Sequence, residues 1–161
     1  MSNTYSKIYI HLVFAVKNRE ALINKKWKEE LNKYIHGIIG NKKQKCIIVN
    51  GVEDHLHLFI GIRPSICIAD LVKDIKTSSS NFINEKRLTS KPFYWQNGYG
   101  AFSHSVNDLN AVYNYISQQE EHHNGQSFQN EFLDLLNENE IHYESQYLFE
   151  WIDKSSQDQD L

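Results

Sequence analysis

The residue pattern predicts an α+β domain around an antiparallel sheet, on three observations. Ile8, Ile10, Leu12, Phe14 and Val16 alternate with Tyr9, His11, Val13 and Ala15, the period of two of a strand. Cys46 to Val52 and His55 to Ile62 are two more apolar, β-branched runs, and Asn50-Gly51 or Glu53-Asp54 supplies a bulge or turn that makes them a hairpin. Long segments on either side repeat their apolar residues at helical spacing.

Taken in order, the first strand is followed by a helix from about Asn24 to Ile39, with Trp27, Leu31, Tyr34, Ile35 and Ile38 on one face and Gly40 as its stop. The hairpin comes next. Beyond Pro64, with Ser65 as a cap, Ile68, Leu71, Val72, Ile75, Phe82 and Ile83 mark the buried face of a second helix. Phe93 to Ser105 is aromatic and Gly-punctuated and enters another strand near Ala101 to Val106. Asp108 caps a third helix that turns Leu109, Val112, Tyr113 and Ile116 to the core, and Ser127 to Asn139 forms a fourth around Phe128, Phe132, Leu135 and Leu136.

At 161 residues the chain suits one domain, assigned to residues 1–153, with 154–161 a disordered polar tail. A 40% hydrophobic content and only two Pro exclude disordered and fibrous classes. No run reaches the ~18 apolar residues of a membrane span, and the start has no apolar stretch fit for a signal peptide, so the expected location is cytoplasmic. Cys46 and Cys67 have no CxxC pairing and are expected as buried thiols. The net charge of −3 argues against bulk binding of nucleic acid, but it conceals an asymmetry. Lys and Arg dominate the first ninety-one residues, while Asp and Glu, Glu131 among them, crowd the C-terminal part.

Two segments carry chemistry. In Asp54-His55-Leu56-His57-Leu58-Phe59-Ile60, a strand puts both histidines on one face and Leu56, Leu58 and Ile60 on the other. Paired imidazoles on a rigid strand form half of a divalent-metal site, although alone they also fit two half-exposed strand histidines. On the third helix Tyr115 and Gln119 are four apart and share an exposed ridge beside the Leu109, Val112, Ile116 stripe. A tyrosine can attack a phosphodiester and hold the DNA end covalently, but with an ordinary pKa of about 10 it needs a metal to polarise the phosphate. Two imidazoles and an amide oxygen leave positions open for phosphate oxygens on Mg²⁺ or Mn²⁺.

Four ordered blocks resemble the HUH single-tyrosine transposases, the TnpA (IS-two-hundred-like) family. They are Tyr9-Ile10-His11-Leu12-Val13-Phe14 with Lys17-Asn18-Arg19, then His55-Leu56-His57. Trp95-Gln96-Asn97-Gly98-Tyr99-Gly100-Ala101-Phe102-Ser103 follows, and the last runs from Tyr115-Ile116-Ser117-Gln118-Gln119 to His123. The likeness covers about Tyr5 to Tyr147. It implies a ferredoxin-like sandwich with helices packed on one face of an antiparallel sheet and the tyrosine helix near the C-terminal third. It further implies that His55 and His57 bind the metal, Gln119 completes the site and Tyr115 is the nucleophile. The protein would be an obligate homodimer in which the tyrosine of one subunit can serve the histidines of the other. Its substrate would be single-stranded DNA with a hairpin at element ends, cut through a 5′-phosphotyrosine and a free 3′-OH and then rejoined.

Other residues are weighed beside these. Tyr113 is turned ~200° from Tyr115 and is assigned to packing. His122 and His123 follow acidic residues at a helix end, where solvated histidine is ordinary. His11 either lines the DNA groove or is a hydrogen-bonded histidine. Lys17, Arg19, Lys73 and Lys76 are candidates for phosphate contacts, and Tyr94, Trp95 and Tyr99 for base stacking. Two other functions compete with transposition: a non-catalytic single-stranded DNA or hairpin-binding protein, and a metal hydrolase that uses the histidines without Tyr115.

Overall fold

A computed structural model describes residues 3–20, 22–122, 125–144 and 148. Strand β1 (Ile8–Ala15) leads through a short 3-10 turn, Lys17–Arg19, to helix α1 (Lys25–Asn41). The hairpin β2 (Lys45–Gly51) and β3 (His55–Ile62) follows, then helix α2 (Ile68–Glu85) and strand β4 (Gly100–His104). The four strands form one antiparallel sheet in the order β2-β3-β1-β4, the ferredoxin-like arrangement. Three more helices complete the order: α3 (Leu109–Ser117), α4 (Gln119–His122) and α5 (Phe128–Glu138).

β1 and β3 lie at the centre, and the alternation of their side chains feeds two different layers. Ile10, Leu12, Phe14, Leu56, Leu58 and Ile60 pack against Trp27, Leu31, Ile35 and Ile39 of α1 and Leu71, Val72, Ile75 and Ile83 of α2. The opposite side chains face the C-terminal helices: Val13 and Ala15 meet Phe128, Phe132 and Leu136, and Tyr9 and Phe59 meet Val112 and Ile116. The helix pair α1 and α2 thus covers one face, as the ferredoxin-like pattern implies, and α3 to α5 cover the other. That second cover makes every residue from Tyr9 to Ala15 buried.

Local signals differ from expectation in several places. Asn24 caps α1 by accepting from the Lys26 amide, but the helix runs through Gly40 and is closed instead by Lys43 at φ 64. Ser65 does not cap α2, whose N-cap position is Cys67 without a side-chain bond. Asp108 does not cap α3 through its own side chain; it joins Ser105 in a capping box around the 3-10 turn Val106–Asp108. Cys46 is only partly buried and Cys67 is exposed, because Cys67 precedes α2 instead of lying on its buried face. Gly51 sits where the hairpin closes: a Cβ there would lie 2.2 Å from the His55 carbonyl oxygen. No described helix is long and apolar enough to cross a membrane, and 154–161 lie outside the described residues.

Candidate metal and nucleophile site

The β1–β3 register sets Ala15 opposite His55 and Val13 opposite His57, which leaves His11 diagonal to His57. The rings of His11 and His57 stack at 5.0 Å, with His11 Nε2 and His57 Nδ1 hydrogen-bonded at 2.7 Å. His55 Nδ1 donates to Asp54 Oδ1 at 2.7 Å, and its ring stacks on Phe128 at 4.1 Å. Each imidazole is therefore oriented through Nδ1, and each turns Nε2 to the same point. Both histidines are fully buried, not half-exposed, because α5 lies over them.

At that point stands Glu131 of α5, 2% exposed. Its Oε1 accepts from His57 Nε2 at 2.8 Å and lies 3.2 Å from His55 Nε2. Its Oε2 accepts from the Tyr115 hydroxyl at 2.6 Å and is 3.4 Å from Gln119 Nε2. One carboxylate divides its oxygens between the histidines and the tyrosine. Glu131 was not among the residues expected from the sequence, where it counted only as acidic surface. The signal was present: Glu131 follows Phe128 by three and precedes Phe132, inside the apolar stripe of its helix, and a charge there is rarely buried without a partner.

Tyr115 and Gln119 come together, but not on one exposed ridge. α3 ends at Ser117, Gln118 leaves the helical region at φ −99 and ψ 21, and Gln119 opens α4. Gln119 is fully buried, and Tyr115 is partly covered. The Gln119 amide nitrogen still reaches back to the Tyr115 carbonyl at 3.5 Å, while its Oε1 is buried with no hydrogen-bond donor among the described residues.

The electrostatics follow from this crowding. Burial pushes the Tyr115 phenol well above its ordinary pKa, and the Glu131 charge and hydrogen bond push it further. Burial disfavours the charged form of His55, yet hydrogen bonds to Asp54 and Glu131 outweigh it and hold its pKa above 6.5. His11 is held well below 6.5 by burial and by His57 and His104, so it is neutral and can accept from His57 Nδ1. With Nδ1 of His57 on His11 and Nδ1 of His55 on Asp54, each Nε2 would become a metal ligand on releasing the proton it holds toward Glu131. The ligand atoms of His55, His57 and Glu131 all lie within 4.8 Å of one another. Two imidazoles, a carboxylate and the buried Gln119 oxygen are donors that suit Mg²⁺ or Mn²⁺. A cleft of about 420 Å³ opens onto Tyr115 and Glu131 and is also lined by His11, Asp108, Asp134 and Glu138.

The other sequence candidates are distributed differently. Tyr113 is 45% exposed and does not pack, since the buried side of α3 is Val112 and Ile116. Trp95 is largely buried in the apolar core, perpendicular to Phe14 and Phe93 with its indole donating to Ser79, and it borders the cleft that Tyr94 and Tyr99 line. Lys76 donates to the carbonyls of Gln96 and Gly98 at 2.8 and 2.7 Å and holds that loop. Lys73 and Tyr94 are exposed and, with Tyr99, line a cleft of about 390 Å³. Lys17 is exposed, its Nζ 5.7 Å from the Tyr94 ring. His11 is a buried member of the histidine cluster, hydrogen-bonded to His57, and stands at the wall of the cleft that opens onto Tyr115. The side chains of Arg19 and His122, and all of His123, lie outside the described residues.

Residues 4–119 match the family model described as Transposase IS200 like. Among solved structures, the fold is similar to that of a protein from Deinococcus radiodurans assigned as a transposase, with a TM-score of 0.61 and 21% identity over 74% of this chain and 95% of that one. It is also similar to a REP-associated tyrosine transposase bound to a REP hairpin, with a TM-score of 0.57 and 13% identity over 76% of this chain and 73% of that one. No curated protein matches the sequence. The family match ends at Gln119, so Glu131 and α5 lie beyond it.

Proposed function

The chain belongs to the IS200-like transposase family, and from that premise we propose that it cuts and rejoins single-stranded DNA by tyrosine transesterification. The Tyr115 oxygen forms a bond to the scissile phosphorus, the 3′-oxygen leaves as a free 3′-OH, and the strand is held as a 5′-phosphotyrosine. Attack by a 3′-OH on that linkage releases Tyr115 and completes strand transfer without an external energy source. Mg²⁺ or Mn²⁺ held by His55 and His57, with Gln119 completing the set, would supply Lewis-acid polarisation of the phosphate. The observation that carries this reading is that the Tyr115 hydroxyl and both imidazole Nε2 atoms gather on one buried carboxylate.

The chain's own residues prepare the step in defined ways. Asp54 and His11 hold the two imidazoles by Nδ1 and keep Nε2 directed to the site. Burial and the Glu131 carboxylate raise the Tyr115 phenol further above its ordinary value, so its activation calls for an opposing positive charge. The proposed partners are DNA carrying a hairpin, the ligand of one structural relative, and a second copy of this chain. Within one chain, Tyr115 and the histidines meet on Glu131.

Labelled single strands incubated with the protein and Mn²⁺ should yield a denaturant-resistant adduct, and Tyr115→Phe should abolish it while leaving the binding shift intact. An adduct of undiminished yield in that variant removes Tyr115 as nucleophile.

A further inference from the structure

We propose that Glu131 is itself a protein ligand of the ion, delivered by a helix that the family match does not include. This rests on the reading of a metal site at His55 and His57.

Ligand atoms bound at right angles about 2.1 Å from a small divalent ion stand about 3 Å apart. Glu131 Oε1 lies 2.8 Å from one imidazole Nε2 and 3.2 Å from the other, the separations of neighbouring ligands around one ion. All three donors are buried, and each imidazole is already oriented from behind by Asp54 or His11. Gln119 Oε1 is buried beside them without a donor among the described residues, which leaves an amide oxygen available to the same ion. The approach is electrostatically suited to a cation: the cleft leading to Glu131 carries Asp108, Asp134 and Glu138. Two imidazoles with one carboxylate bind Mn²⁺ more tightly than two imidazoles with an amide, because the carboxylate brings a full charge. Glu131 Oε2 remains on the Tyr115 hydroxyl, so the ligand that holds the ion also touches the nucleophile.

The test is calorimetric titration of Mn²⁺ into the full chain without DNA, with electron paramagnetic resonance of the bound ion. Glu131→Gln, which keeps shape and removes charge, should weaken Mn²⁺ binding by about tenfold or more with an unchanged circular dichroism spectrum. Gln119→Ala should weaken it less. Glu131→Asp, which retains the charge on a shorter arm, should fall between wild type and Glu131→Gln, and it serves as the measurement if the amide variant does not fold. Unchanged affinity in the folded Glu131 variant overturns the proposal. Since no DNA is present, this outcome is separate from that of the Tyr115 adduct: a wild type that binds Mn²⁺ through Glu131 yet forms no adduct would sink the transposition chemistry and leave the ligand.

Discussion

The two faces of one sheet are built from different interactions. On one face Leu12, Phe14, Leu56, Leu58 and Ile60 meet α1 and α2 in a layer of hydrocarbon. On the other, one residue along the same strands, His11, His55 and His57 meet Glu131, Tyr115 and Gln119. The apolar face holds by burial, which is non-directional and tolerant of its neighbours. The other face adds to its apolar contacts a cluster of directed bonds between groups that are costly to bury unless every partner is present. A rigid apolar layer beneath two strands is what allows paired imidazoles to keep one geometry on the other side.

The sharpest way to break this comparison is Leu58→Ala, which should cost about 2–5 kcal/mol in urea unfolding. A loss as small as that of a surface substitution would mean the apolar layer does not carry the fold. Its neighbour on the other face, His57→Ala, should cost about 1–3 kcal/mol by leaving the partners of a buried network unsatisfied. The same variant should lose Mn²⁺ binding altogether in calorimetry. Equal stability losses with Mn²⁺ retained would erase the distinction between the faces.

A smaller effect lies at the rim of the apolar face. Lys76 sits above the Phe14 ring, and burial pulls its pKa from 10.5 to about 8. Between these values the unfolded chain holds the proton and the folded chain does not, so this group's contribution to stability rises with pH across that window. Unfolding free energies of wild type minus Lys76→Met should therefore increase from pH 8 towards 10.5, and a flat or falling difference would contradict the burial of the amine. The smallest effect concerns thiols. Burial raises Cys46 to about 12, whereas Cys67 is exposed, so iodoacetamide at pH 8 should label Cys67 in the native protein and spare Cys46 until urea is added. Mass spectrometry of the labelled peptides reads the outcome.

Much of the fold was legible because its signals are periodic. The alternation in Ile8 to Val16 and the spacing of Trp27, Leu31 and Ile35 need only near neighbours to be read. The same alternation placed His55 and His57 on one face. Signals that depended on a partner were not readable in that way. The sequence does not show that Phe14, Phe93 and Ser79 surround Trp95, nor that Lys76 donates to the carbonyls of Gln96 and Gly98. The break at Gln118 divides Tyr115 from Gln119, yet a spacing of four survives it well enough for the two to meet.

By itself the sequence determined the strand and helix order, the opposed faces of β1 and β3, and the identity of His55, His57 and Tyr115 as groups capable of chemistry, because each is a property of local period and side-chain type. Only the tertiary structure decided that a glutamate 74 positions from His57 completes their cluster. The physical reason is that a carboxylate on an acidic, amphipathic helix is surface until the helix docks. When α5 settles over the sheet, Phe128 comes to rest on His55 and Glu131 is carried among polar groups that receive its charge.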